Sequence, residues 1–152
     1  MYSSILIFHS LFRWLVLLSL LLSIFSVYWG CKQGKAFTSF ANKLRHWTAT
    51  IAHVQLMIGI TLYFQSPLIK LPTSGTALTF NDQVFFKYVH LGLMVVSVIL
   101  ITIGSAKAKR MPNASAQYYT MLIWFSVALL LILIAIPWPF SPLAARPYIR
   151  TF

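Results

Sequence analysis

Apolar residues fall into four long blocks along the chain, and short polar stretches separate the blocks. Within each block the apolar residues run almost continuously, without the alternation of a strand or the regular polar positions of a surface helix. A helix that crosses a bilayer needs about 20 mostly apolar residues. We therefore predict a single transmembrane domain over 1–152, with helices at about 5–29, 44–64, 84–106 and 117–136.

The polar stretches contain residues that end helices. These are Gly34 in the first connection, Pro67, Pro72 and Gly75 in the second, and Pro137 and Pro139 after helix 4. Asn81 or Asp82 is suited to cap the start of helix 3. Because short connections join antiparallel neighbours, the pattern predicts an all-α membrane protein, with four transmembrane helices in an up-down-up-down bundle. Helices 1 and 3 would then lie on one diagonal, and helices 2 and 4 on the other.

Composition agrees with a membrane protein, since 59% of the 152 residues are hydrophobic and only 9% are charged. The net charge of +11 comes from Lys and Arg residues scattered over the helix ends, without the basic stripe of a nucleic-acid-binding surface. We therefore expect no nucleic-acid partner. These charges are expected to meet the headgroups of the lipid bilayer.

The distribution of basic residues also predicts an orientation. The connections after helices 1 and 3 carry Lys32, Lys35, Lys43, Arg45, Lys107, Lys109 and Arg110, whereas the other side carries Lys70, Lys87, Arg146 and Arg150. By the positive-inside rule, the first set faces the cytoplasm and both termini lie outside. The opening residues MYSS carry no basic side chain, so we expect helix 1 to be retained and not cleaved as a signal peptide.

The residue types available for metal chemistry are few. Cys31 is the only cysteine and Asp82 the only acidic residue, so a disulfide within the chain, a cysteine cluster and a carboxylate-rich di-iron centre are excluded. A zinc site needs three or four ligands with supporting hydrogen bonds, which scattered histidines supply poorly. A haem needs only one or two axial ligands and an apolar pocket. The histidines in or beside the apolar blocks therefore favour haem.

Depth in the membrane selects a pair of these histidines. His9 lies about five residues, roughly 7 Å, from the outer end of helix 1, and His90 about six residues, roughly 9 Å, from that of helix 3. The two are level and on diagonal helices, whose separation leaves room for a porphyrin. Neighbouring helices, at about 8 to 10 Å, are too close to admit one. His9 and His90 are therefore our first choice as axial ligands of the haem iron.

The other two histidines are less suited to the same iron. His53 lies roughly 16 Å deep, a turn or more below the first pair, and serves as an alternative ligand if helix 2 tilts. His46 stands between Arg45 and Trp47 at the cytoplasmic interface, where an ordinary interfacial histidine is expected. Any of the buried histidines can instead form a hydrogen bond to a neighbouring helix.

Arg13 follows His9 by one helical turn and shares its face of helix 1. A charge in this position needs a partner, and a haem propionate, a quinone or another anion in the bundle could provide one. A backbone carbonyl could also satisfy it, or the side chain could extend to the membrane surface. Lys70 or Lys87 could assist at the outer surface. Gly59, Gly92 and Gly104 allow a flat ring or a neighbouring helix to approach closely.

Four short motifs in order resemble those of a known group of proteins. They are HSLFRW near the start, HVQLMIGITLYF in helix 2, KYVHLGLM in helix 3, and IPWPF with ARPYI at the end. Together they resemble the small four-helix membrane proteins of Bacteroidetes-type bacteria that are labelled cytochrome B. The resemblance implies a b-type haem bound by His9, His53 and His90, with Arg13 beside them. It also implies a multi-pass protein of the bacterial inner (cytoplasmic) membrane.

Two classes of function follow from these features. The first is an electron-transfer b-type cytochrome with one haem b per chain, which exchanges electrons with a quinone or a partner redox protein. A variant of it is a small redox enzyme that oxidises superoxide or reduces quinone. The second class is a haem-free structural subunit of a respiratory or other membrane complex, in which the histidines join helices. Transport is disfavoured because the sequence has no inverted repeat and no coupling carboxylate within a span.

Overall fold

Four long helices dominate the computed structural model, which describes residues 2–70 and 82–148. They are α1 (Tyr2–Gln33), α2 (Ser39–Gln65), α4 (Asp82–Arg110) and α5 (Ala114–Ala135), with a short helix α3 (Pro67–Lys70) after α2. Each long helix is long and apolar enough to cross a membrane, and no strand occurs within the described ranges. The predicted fold class, an all-α protein with four membrane-spanning helices, is confirmed.

The four long helices pack in a ring. The main contacts join α1 to α2, α2 to α4, α4 to α5 and α5 back to α1, so α1 and α4 lie on one diagonal and α2 and α5 on the other. We call the end at which α1 and α4 begin the terminal end, and the opposite end the connection end. The side of the membrane that each end faces stays a prediction of the basic residues.

The helices extend beyond most of the predicted limits because the polar flanking residues continue and cap them. Gly34, with φ of 59°, ends α1, and the Thr38 side chain accepts a hydrogen bond from the Ala41 amide (3.1 Å) to begin α2. Asn113 caps α5 in the same way through the Ala116 amide (2.8 Å). The α5 helix ends at Ala135, one residue before the predicted limit. The breakers Pro72 and Gly75, the possible cap Asn81, and Arg150 lie outside the described residues.

Small and apolar residues fill the centre of the bundle. Leu20, Ile101, Met121 and Phe125 are fully buried there. Between α1 and α2 the hydroxyls of Ser23 and Thr48 hydrogen-bond to each other at 2.8 Å, and Thr48 also donates to the Ser19 carbonyl. Buried hydroxyl groups are thus satisfied across helix interfaces, as an apolar membrane environment requires.

Arg45 corrects one expectation of the sequence. Its position near a connection suggested a cytoplasmic surface charge, but only 7% of the residue is exposed. The guanidinium donates to Asn42 Oδ1 through Nε and Nη2, and to the carbonyl and hydroxyl oxygens of Ser105 through Nη1. Since Ser105 belongs to α4, Arg45 joins α2 to α4 at the connection end. Burial is tolerated because these neutral acceptors replace the hydration of the charge.

Two glycines of α4 form a matched pair for testing helix packing. A Cβ at Gly104 would overlap the Cβ of Trp124, an atom fixed to the Trp124 backbone. A Cβ at Gly92 would meet nothing within 4 Å. We expect Gly104→Ala to lower the free energy of unfolding by about 1–3 kcal/mol through overpacking. Gly92→Ala should leave it unchanged or raise it by up to about 1 kcal/mol, because alanine favours the helix.

The measurement is equilibrium unfolding by SDS in mixed micelles, followed by circular dichroism. Equal losses in the two variants would contradict the close α4–α5 packing at Gly104. A loss confined to Gly92→Ala would contradict the open surface assigned to that position.

Candidate functional site

The two histidines predicted as a pair lie together in the terminal half of the bundle. The ring centroids of His9 on α1 and His90 on α4 are 6.4 Å apart, and the ring planes are inclined by 70°. Two imidazoles that bind one metal ion from opposite sides have centroids about 6 Å apart, given metal–nitrogen bonds of about 2 Å and a ring radius of about 1 Å. The observed spacing is therefore compatible with one metal ion bound by both rings.

His90 has the hydrogen bonding that is usual for a metal ligand. Its Nδ1 lies 2.8 Å from the carbonyl oxygen of Ala135, and since a carbonyl only accepts, Nδ1 carries the proton. The Nε2 lone pair of the neutral ring is then available, and it makes no hydrogen bond to any described residue. His90 is the last residue of a π-helical turn, Phe85–His90, and the rings of Phe85 and Phe86 pack at 5.9 and 5.8 Å from its own.

His9 is held by α2. The Gln55 amide nitrogen lies 3.2 Å from His9 Nδ1 and 3.0 Å from the His9 carbonyl oxygen. The other end of this amide, Oε1, is buried and has no hydrogen-bond partner among the described residues. Because an amide nitrogen donates, His9 Nδ1 accepts in this arrangement and the ring proton is on Nε2. A ligand bound through Nε2 would require the amide to rotate by half a turn, which would give up the hydrogen bond to the His9 carbonyl.

Gly59 makes room for the His9 ring. A Cβ at this position would lie 3.2 Å from His9 Cε1, closer than an ordinary van der Waals contact. The group that approaches Gly59 closely is thus the His9 imidazole. Gly92, by contrast, has no such neighbour, and Gly104 serves helix packing.

A cavity of about 470 Å³ opens beside the two histidines. Its volume is within the range of about 300 to 1,000 Å³ that is typical of small-molecule and cofactor sites. Its apolar lining includes Val16, Met94, Val98 and Ile132, and its polar lining includes Arg13 and Arg146. The cavity wall thus combines apolar side chains with two imidazoles and two guanidinium groups.

Arg13 lines the cavity together with His9, as its spacing of one turn indicated. Its Nη2 donates to the carbonyl oxygen of Tyr148, and its guanidinium carbon lies 5.3 Å from the Trp14 ring centroid. Arg13 is therefore bound to a backbone carbonyl, one of the partners that the sequence suggested for its charge. Trp14 in turn packs edge-on against Trp138 at 6.1 Å, which holds the segment after α5 against α1.

The sequence did not single out Arg146 as part of the site. Its guanidinium forms an ion pair with Asp82 and lies 5.3 Å from the Phe86 ring centroid. Lys70 and Lys87, which were expected to assist at this end, do not line the cavity. The only signal in the sequence was a single carboxylate among twelve Lys and Arg residues, and it does not say which of them pairs with it. The carboxylate of Asp82 thus binds Arg146, a role the sequence did not predict.

The structure does not bring His53 together with the pair. His53 is exposed on the outer surface of the bundle, where its Nδ1 lies 2.7 Å from the Ala49 carbonyl and its Nε2 lies 3.1 Å from Thr102 Oγ1. His46 is also exposed, with its ring 5.9 Å from that of Trp47, as expected of an interfacial residue. His9 and His90 are therefore the histidines that line the cavity.

Within residues 2–70 and 82–148, no group of three or more His, Cys, Asp or Glu side chains could hold a metal ion. The described residues thus offer two neighbouring imidazoles, His9 and His90, and no larger set of these ligands. No protein-family model matches the chain, and no similar curated protein or solved structure is found.

Proposed function

We propose that this protein is a membrane b-type haem protein that transfers electrons, with His9 and His90 as the axial ligands of one haem b. The observation that carries the proposal is the 6.4 Å separation of their ring centroids beside a cavity of cofactor size. A bound haem would supply a centre that takes up and releases one electron. The resemblance to small membrane proteins labelled cytochrome B leads to the same proposal.

The surrounding residues have tasks that suit such a centre. The Ala135 carbonyl fixes the proton of His90 on Nδ1, and a rotated Gln55 amide would do the same for His9. The apolar part of the cavity lining would lower the local polarity, which is one of the ways in which a protein sets a redox potential. Arg13 in the cavity lining would bind a haem propionate. A quinone or a redox protein in the bacterial inner membrane would be the electron partner.

A haem-free structural subunit of a larger membrane complex is the second candidate. The observation in its favour is that both imidazoles already contact a neighbouring helix, His90 through Ala135 on α5 and His9 through Gln55 on α2. Such bonds between helices stabilise a bundle without any cofactor. The two candidates make opposite predictions about haem content.

The deciding experiment is a spectrum of the protein purified in mild detergent, recorded as dithionite-reduced minus oxidised. A pyridine haemochrome assay then counts haem per chain. We expect a sharp reduced alpha band and about one haem b per chain, because one histidine pair lines the cavity. A folded protein that is colourless and does not take up added haemin would contradict the proposal and support the structural subunit.

A further inference from the structure

Two arginines line the cavity, and one of them pairs with the only acidic side chain of the protein. Arg13 belongs to α1, and Arg146 belongs to the segment after α5. Arg13 donates to the Tyr148 carbonyl, two residues beyond Arg146, so Arg13 is held against the segment that carries Arg146. Asp82, at the start of α4, does not line the cavity but is the carboxylate that Arg146 binds.

The ion pair identifies the kind of group that Arg146 can bind. A guanidinium presents its N–H groups in a planar fork that matches a carboxylate. The contact with Asp82 shows that Arg146 binds a carboxylate, and Arg146 also lines the cavity. Its Nε is buried and has no hydrogen-bond partner within the described residues, so the guanidinium has a donor that Asp82 does not use. The Phe86 ring, 5.3 Å from the guanidinium carbon, supports it from one side.

The rest of the cavity restricts the molecule that could carry such a carboxylate. Much of the remaining wall is apolar and includes Val16, Val98 and Ile132. A ligand with an apolar body and a carboxylate at one end would satisfy both the apolar wall and the arginines. A haem, with its propionates, and a fatty acid from the bilayer share this chemistry.

We propose that Arg13 and Arg146 form a binding site for the carboxylate of an amphipathic ligand, and that Asp82 is an internal competitor which the ligand displaces from Arg146. For a haem as ligand, the inference rests on the function proposed above. The two carboxylates compete because they bind the same N–H groups of Arg146. A ligand carboxylate that binds these groups must therefore displace the carboxylate of Asp82. Asp82 then lowers the affinity of the site while keeping the arginine oriented when no ligand is bound.

Three porphyrin probes separate the carboxylate site from the histidine pair. Protoporphyrin IX has two free carboxylates and no iron. Haemin has the two carboxylates and iron, and haemin dimethyl ester has iron but no free carboxylate. Affinities are measured in nanodiscs of zwitterionic lipid, from quenching of tryptophan fluorescence. Competition by palmitate measures whether a fatty acid occupies the same site.

We expect Arg146→Gln to weaken protoporphyrin IX binding by about tenfold, the effect of losing one charge-assisted interaction. Asp82→Asn should strengthen it several-fold, since the competitor is neutralised while a similar shape is kept. Neither variant should change the affinity for haemin dimethyl ester. Lys70→Gln, a basic residue at the same end that does not line the cavity, is the matched control and should change none of the affinities.

Opposite effects of Arg146→Gln and Asp82→Asn distinguish this site from a merely structural ion pair, whose loss would weaken binding in both variants. The proposal would be overturned if both variants bound protoporphyrin IX equally weakly. It would also be overturned if they lost affinity for haemin dimethyl ester as much as for protoporphyrin IX. Binding of protoporphyrin IX with these signs, together with no low-spin haemin spectrum, would uphold the carboxylate site and reject axial ligation by histidine. Competition by palmitate with the same signs would uphold the site with a fatty acid as its ligand.

Discussion

His90→Ala is expected to abolish the low-spin b-type spectrum, and His9→Ala is expected to do the same. Each removes one of the two imidazoles whose ring centroids lie 6.4 Å apart, so the iron would keep at most one protein ligand. His90→Ala should have the larger effect on haem content, because His90 has its Nδ1 proton fixed by the Ala135 carbonyl. The measurement is the reduced-minus-oxidised spectrum with haem counted per folded chain.

The two other histidines are the controls. His46→Ala and His53→Ala remove exposed imidazoles outside the cavity lining, and both variants should keep the wild-type spectrum and haem content. Loss of the spectrum in His53→Ala, with its retention in His9→Ala, would reject the His9 and His90 pair and favour the alternative ligand. Circular dichroism of each variant separates loss of haem from loss of the fold.

Arg45→Met is expected to lower the free energy of unfolding by about 2–4 kcal/mol. The methionine has a similar length but no donors, so the Ser105 carbonyl and hydroxyl oxygens lose the guanidinium inside the bundle. The cost arises mainly at buried Ser105, where water cannot easily replace these bonds, whereas Asn42 is exposed. Arg45→Lys should recover only part of the loss, since an ammonium cannot serve both acceptors with the same planar geometry.

Equilibrium unfolding by SDS in mixed micelles measures this effect. Lys43→Met is the matched control, because Lys43 is exposed on the same helix and near the same end of the bundle. We expect that variant to differ from wild type by less than about 0.5 kcal/mol. If the two methionine variants lost the same stability, the buried hydrogen bonds of Arg45 would not be what joins α2 to α4.

The sequence could predict how far along its helix each residue lies, because this distance depends only on the number of residues from the helix end. Blocks of about 20 apolar residues predict spanning helices, since a helix satisfies its backbone hydrogen bonds within a single segment. Counting residues from the helix ends then placed His9 and His90 at similar depth, and short connections set their helices on one diagonal. The proximity of the two rings is consistent with this reasoning. Arg13 lines the same cavity as His9, as its spacing of one turn on the same helix face indicated.

Only the tertiary structure decided whether each side chain lies inside the bundle or on its outer surface. In a soluble helix the polar face marks the outside, but lipid is as apolar as the core, so the spanning sequences do not mark which face is buried. For this reason the sequence could not tell that His53 faces outward or that Arg45 faces inward. Nor could it pair Asp82 with Arg146, which are 64 residues apart and meet only when the segment after α5 folds back over the cavity.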